Sequence, residues 1–102
     1  MTIVGLHHLR LAMPEGEEAE PVAFYEGLLG IPQVQKPPHL EARGGCCFEL
    51  GMVRIHLGVE EDYRPAKKAH PALLVDGLST MKQHLASWPG DGYLVSQQLM
   101  RG

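Results

Sequence analysis

The sequence predicts an α+β domain in which short strands outnumber helices. Twelve glycines and eight prolines among 102 residues favour many short elements over a helix bundle. Apolar and polar side chains alternate on both sides of Gly51-Met52, a glycine-first pair that is typical of a two-residue hairpin turn. Apolar periodicity elsewhere predicts two helices, so the expected order is strand, helix, three strands, then strand and helix again.

The N-terminal third predicts a strand, a helix and a second short strand. Residues 3–13 are predicted as a strand because Ile3, Leu9, Leu11 and Met13 share one parity, whereas His8, Arg10 and Ala12 share the other. Pro14 ends the strand because proline cannot donate to a ladder. Apolar residues at helical spacing follow Pro21, which a first helical turn tolerates, and Gly30 is the expected stop. A short strand over residues 31–36 comes next.

The predicted hairpin over residues 45–58 determines which side chains share a face. Pairing outward from the turn puts apolar residues opposite one another on one face: Leu50 with Val53, Phe48 with Ile55, and Cys46 with Leu57. On the other face Glu49 meets Arg54 and Cys47 meets His56. His56 is therefore predicted to stand on a rigid strand and to face water or a cleft.

The C-terminal half predicts a loop over residues 60–69, a strand over 70–75 and a helix over 78–88 with Ser79 as its N-cap. Residues 37–43 are predicted as a loop and 93–95 as one more short strand, whereas 97–102 show no clear pattern. The whole chain is interpreted as one domain, with a first module over about 1–60 and a partial second module over about 69–102.

Composition excludes several classes of function. A net charge of −3 gives no basis for a nucleic-acid or anionic-membrane surface. No apolar run approaches the roughly 20 residues of a transmembrane helix, and the N-terminus lacks the layout of a signal peptide. The two cysteines are adjacent, and neighbours on a strand point to opposite faces, so no disulfide is expected. These features favour a cytoplasmic protein with reduced thiols.

Three of the six histidines lie on predicted strands or at a strand start: His8, His56 and His70. Imidazole is a common ligand of zinc, nickel, iron(II) and manganese, and three ligands leave room for water or substrate. The three are therefore candidate ligands of a divalent metal ion. Each one alone is also compatible with a surface or structural role, because exposed histidines are ordinary.

Other side chains have two interpretations each. Glu49 is either a general base or the cross-strand partner of Arg54, and Arg10 either binds an anionic substrate or is solvated. Cys47 is either a metal ligand or a half-buried strand cysteine. His7 has the opposite parity to His8 and is interpreted as structural.

Four segments of the chain resemble the vicinal oxygen chelate superfamily, the group of glyoxalases, bleomycin-resistance proteins and extradiol dioxygenases. They are LHHLRL from Leu6, FYEGLLGI from Phe24, VRIHL from Val53 and AHPALLV from Ala69. The resemblance covers roughly residues 3–88 and implies two βαβββ half-barrel modules around a metal cleft. It matches His8, His56 and His70 to ligand positions, the second of which carries Glu in glyoxalase I-type members.

The tail departs from this superfamily. Its members continue through three more strands, the last with a Glu ligand, whereas residues 95–102 resemble none of these. The second module is therefore predicted to be incomplete, through truncation, a frameshift or completion by a partner. A half-barrel that lacks strands exposes apolar edges, so a homodimer is expected.

Three hypotheses for function follow. The first is an enzyme whose divalent metal acts as a Lewis acid on a small oxygen-bearing substrate, in a lyase, isomerase or dioxygenase reaction. The second is a metal-free protein that binds a drug-like molecule, as in the bleomycin-resistance branch. The third is an inactive remnant. The three histidines favour the first hypothesis, and the tail favours the third.

Overall fold

A four-stranded sheet with a helix packed on one face forms the centre of the protein. The computed structural model describes residues 1–36, 38–41, 43–87 and 99–101. The elements in chain order are β1 (Leu9–Met13), α1 (Ala19–Pro21, continuing as a π-helix over Val22–Leu28), β2 (Gln33–Val34), α2 (Pro38–Glu41), β3 (Cys46–Leu50), β4 (Val53–Val59), β5 (Leu73–Val75), α3 (Leu78–Ala86) and β6 (Leu99–Arg101).

The main sheet has the strand order β1-β4-β3-β2. Strand β1 is parallel to β4, and the other two pairs are antiparallel. Strands β5 and β6 form a separate parallel pair. The α+β class and the βαβββ module are thus confirmed. The incomplete second module stays a prediction, because Trp88 and the predicted strand over 93–95 lie outside the described residues.

The hairpin of β3 and β4 has the predicted register. Leu50 pairs with Val53, and every pair outward to Cys46 with Leu57 follows in step. Gly51 has a φ of 59°, and Met52 has a negative φ, which together define a turn of type II′. Local turn chemistry and the apolar alternation agree, and this agreement fixes which side chains face the helix.

The hydrophobic core lies between α1 and the sheet. Phe24 of α1 and Phe48 of β3 are fully buried, and the Tyr25 ring lies 5.2 Å from that of Phe48. The complete buried set is Met13, Phe24, Tyr25, Ile31, Cys46, Phe48, Ile55 and Leu57. The helix ends as predicted at Gly30, whose φ of 76° suits a residue without a Cβ. With the apolar side chains on this face, the polar residues of β3 and β4 remain on the other.

Some strands are shorter than the sequence predicts. Strand β1 starts at Leu9 and not at residue 3. Leu9 pairs with Ile55, which is only the third residue of β4, so β4 does not extend alongside the first residues of the chain. Residues 1–6 therefore lie beyond the start of β4. The second strand is reduced to Gln33–Val34, and a one-turn helix with Pro38 at its first position replaces part of the predicted loop over 37–43.

The C-terminal half shows further differences from the prediction. The predicted strand over 70–75 begins only at Leu73, after Pro71, which has no N–H to donate. Gly77, with a φ of 79°, and not Ser79, is the N-cap of α3. Residues Leu99–Arg101 form β6 although their sequence has no strand pattern, because the pairing with β5 is non-local. No helix in the described part of the chain is long and apolar enough to cross a membrane.

Candidate functional site

The face of the sheet opposite α1 carries a row of polar side chains. Arg10 of β1 pairs with His56 of β4, and His56 pairs with Cys47 of β3. The predicted opposition of Cys47 and His56 is therefore confirmed. Residues in register on adjacent strands share a face, so three chemically different groups lie side by side on a rigid support.

Two of the three predicted metal ligands meet at the edge of this row. The His8 and His56 rings are stacked, with centroids 4.3 Å apart and planes 18° from parallel. His8 directly precedes β1, and His56 is held within β4, so parallel pairing of these strands brings the two imidazoles together. His8 is exposed and His56 is half-buried.

Glu49 contacts both of its neighbours on the polar face. Its Oε2 lies 3.4 Å from Nε2 of His56, and its Oε1 lies 3.9 Å from Nε of Arg54. The predicted cross-strand contact with Arg54 is therefore present. The contact with His56 follows from the same register, because His56 is the diagonal neighbour of Glu49 on β4. The carboxylate both orients the His56 ring and is itself balanced by Arg54.

His70 does not join this pair. Its side chain is exposed, and its Nδ1 donates a 2.6 Å hydrogen bond to the carbonyl oxygen of Lys68. Among the residues that the structure describes, no three His, Cys, Asp or Glu side chains are placed to hold a metal ion. The donor atoms of His8, His56 and Glu49 suit a divalent first-row metal in type, but the three-histidine set is not assembled. The assignment of His70 stays a prediction.

His7 belongs to the histidine cluster, although the alternation of the sequence separates it from His8. Its Nδ1 lies 3.0 Å from Nδ1 of His8, and its backbone oxygen accepts a hydrogen bond of 3.4 Å from Arg54. The parity argument does not apply, because both histidines precede the first residue of β1. The feature of the sequence that could have indicated this cluster is the pair of adjacent histidines, His7 and His8, immediately before β1.

A cavity of about 650 Å³ adjoins the cluster. His7, His8 and Arg54 contribute to its wall, which is otherwise mostly apolar. Five large apolar side chains that are exposed to solvent also line it: Leu6, Leu50, Met52, Val53 and Leu74. The cavity therefore combines a polar edge with apolar walls, an arrangement that suits a small organic ligand, whereas His56 and Glu49 do not line it.

Both cysteine thiols are neutral at physiological pH. Burial, followed by the nearby Glu18 carboxylate, raises the pKa of Cys46 to about 11. Burial also raises the pKa of Cys47, and this effect outweighs the opposing influence of Lys36. The protonated state and half-burial of Cys47 favour its interpretation as a strand cysteine over a role as a thiolate ligand.

We expect the Cys46 thiol to make stability depend on pH above about 9. The unfolded thiol loses its proton near its ordinary pKa of 9, whereas the folded thiol keeps it to about 11. Between these two pH values the unfolded state binds fewer protons than the folded state. The contribution of the Cys46 thiol to the free energy of unfolding is therefore fully present below pH 9 and is lost as the pH rises through 11. The full loss is about 3 kcal/mol, of which about 2 kcal/mol is reached at pH 10.5. Urea unfolding at pH 8 and pH 10.5 measures it; Cys46→Ala should show a flatter dependence, and parallel dependences would refute the assignment.

Solved structures with the same fold identify the family. A protein from Bacillus anthracis named as a glyoxalase family protein matches with a TM-score of 0.80 and 43% identity, over 84% of this chain and 70% of that one. The fold is thus that of the glyoxalase class. At this identity and coverage, the chain belongs to the glyoxalase family.

Two more distant structures share the fold alone. An integron cassette protein from the mobile metagenome of V. cholerae matches with a TM-score of 0.60 and 23% identity, over 84% of this chain and 68% of that one. A virulence protein from Salmonella typhimurium matches with a TM-score of 0.58 and 17% identity, over 84% and 69%. No protein-family model and no curated protein matches the chain.

Proposed function

We propose that the protein is a glyoxalase-family enzyme that uses a divalent metal ion on a small substrate carrying neighbouring oxygen atoms. The observation that supports this most strongly is the stacked pair of His8 and His56 on the polar face of the sheet. Membership of the glyoxalase family supports it independently. The reaction would be of lyase, isomerase or dioxygenase type, since one fold supports several chemistries.

In this proposal His8 and His56 are the metal ligands that the structure brings together, and His70 is the predicted third. A bound zinc, nickel, iron(II) or manganese ion would supply Lewis acidity to the oxygen atoms of the substrate. Glu49 orients the His56 ring through the contact at Nε2, so Nδ1 is the nitrogen that this contact does not engage. Arg54 balances the Glu49 carboxylate from the other side. Metal analysis of a variant without His8 and His56 tests the proposal.

Metal-free binding of an apolar small molecule is the second candidate function. The cavity of about 650 Å³ favours it, because most of its wall is apolar. The separate position of His70 also favours it, since ligand binding of this kind needs no third histidine. The two functions are distinguished by the metal content of the purified protein, which is close to zero for the second.

We further propose that the protein forms a homodimer through the apolar surface around the cavity. Met52 and Leu74 are 92% and 77% exposed there, and covering such surface is favourable by about 25 cal/mol per Å². The net charge of only −3 offers little repulsion between copies.

We expect a mass in solution of two chains, and a shift towards the monomer in Met52→Asp, because the new charge would be buried against the second copy. Light scattering at micromolar concentration measures the mass. Val4→Asp is the matched control, because Val4 is 95% exposed but does not line the cavity. A monomeric parent, or equal dissociation of the two variants, would contradict the proposed dimer.

A further inference from the structure

The Arg10 guanidinium lies flat against β4 at a position where the strand has no side chain. Arg10 is in register with His56, and the position two residues beyond His56 is Gly58. A Cβ built on Gly58 would lie 2.6 Å from Cζ and 2.8 Å from Nε of Arg10, and the three heavy atoms nearest to it all belong to Arg10. Gly58 does not have a positive φ, so its backbone would accept alanine. Alanine here would displace the guanidinium, which is the far end of an exposed side chain and therefore free to move.

Arg10 has no carboxylate partner within the described residues. Arg54 has Glu49 at 3.9 Å, and Arg64 has Asp62 at 3.6 Å. No such contact is made by Arg10, and the one carboxylate that shares its face of the sheet, Glu49, is already balanced by Arg54 and His56. Arg10 therefore presents a charged group that has no ion-pair partner among the described residues, on a side chain that is open to solvent.

A second cation lies at the far side of the same row. Lys36 follows β2, and its Nζ donates to the backbone oxygen of Gly44. Both Lys36 and Arg10 act on Cys47, the residue between them, by favouring its charged form against the effect of burial. Two cations therefore lie towards opposite edges of the four-stranded sheet, Arg10 on β1 and Lys36 after β2, and the Glu49 carboxylate opposes their effect on Cys47.

We propose that Arg10 binds an oxyanion of the substrate, a carboxylate or a phosphoryl group, and that Gly58 is the residue that positions it. Guanidinium presents parallel N–H donors that match two oxygens of such a group, and its charge persists at any physiological pH. Arg10 is in register with His56, so the anion would lie on the same face of the sheet as the metal proposed above, and the substrate class rests on that proposed function. Binding of the anion itself requires no metal.

The test is an NMR titration of the metal-free protein with inorganic phosphate and with acetate in the presence of a chelator. We expect the Arg10 Nε–Hε signal and the backbone amide signals of β1 and β4 to shift with one or both anions, and the amide signals report binding in the variants that lack Arg10. Arg10→Gln should weaken binding by at least about fivefold, the loss typical of a charge-assisted pair. Gly58→Ala should weaken it similarly, because the new methyl group displaces the guanidinium, and should have no further effect in Arg10→Gln.

Matched controls are Arg64→Gln, which removes a cation from a loop, and Gly5→Ala, where no atom lies within 4 Å of the new Cβ. Neither should change binding. The proposal is overturned if neither anion shifts the signal, or if Arg10→Gln binds as the parent does. If Gly58→Ala weakens anion binding equally in the parent and in Arg10→Gln, Gly58 does not act through Arg10, and its positioning role is overturned. Anion binding that depends on Arg10 in a protein that takes up no metal would instead refute the metal-dependent function and leave this inference standing.

Discussion

Replacing His8 and His56 together by alanine will abolish metal binding and leave the protein folded. His8 is exposed, and His56 lies on the polar face, so neither ring belongs to the buried core. Loss of both imidazoles removes two of the three proposed ligands, and His70 as the single remaining proposed ligand does not hold a metal ion against dialysis. We expect bound metal to fall from about one ion per chain to less than a tenth of that.

Elemental analysis after dialysis measures the metal, and circular dichroism with thermal unfolding reports the fold. The matched control is His39→Ala with His84→Ala, since both of these histidines are exposed, one in α2 and one in α3. This control keeps the number of substitutions and the residue type the same. Equal metal content in the two double variants would show that the stacked pair is not the site.

Phe48→Ala will destabilise the protein by about 3–5 kcal/mol, which is a large part of the stability of a domain of this size. Phe48 is fully buried, pairs across the sheet with Ile55 and contacts the ring of Tyr25 at 5.2 Å. Its truncation leaves a cavity between α1 and the sheet that the backbone of a hydrogen-bonded strand cannot close. Urea unfolding gives the free energy of unfolding of the variant and the parent.

Leu50→Ala is the control for this experiment, because Leu50 lies two residues along the same strand but is 54% exposed. We expect a loss of less than about 1 kcal/mol there. A similar loss in both variants would mean that the core is not centred on the contact between α1 and β3. The comparison therefore tests the fold separately from the metal proposal.

Features set by local chemistry could be predicted from the sequence. Gly51 followed by an alternating strand defined the hairpin, and Gly30 marked the end of α1. The opposition of Cys47 and His56 followed from the turn by counting residues. In each case the residues that specify the structure are neighbours in the chain, so no long-range information was needed.

Features that depend on distant partners could not be predicted. The start of β1 at Leu9 depends on where β4 begins, and β6 exists only through its pairing with β5. The alternation of apolar and polar residues within a segment does not show whether a second strand is present to pair with it. The winding of α1 is a further example: Leu29 N–H bonds to the Phe24 oxygen five residues back, whereas apolar spacing indicated only a helix.

The candidate site also combines positions that are set by neighbours in the chain with positions that depend on distant partners. His56, Glu49 and Cys47 lie in one hairpin, and their relations were predictable. Arg10 reaches the row only through the parallel pairing of β1 with β4, and His7 enters the cluster because the chain is not yet a strand at that point. The position of His70 depends on a loop that the sequence describes only as polar.

The most direct test of the central claim is elemental analysis of the dialysed parent protein, with its mass in solution determined on the same sample. The metal-dependent function predicts about one divalent ion per chain, in a particle with the mass of two chains. A protein that holds no metal, also after reloading with nickel, zinc, manganese or iron(II), would contradict it.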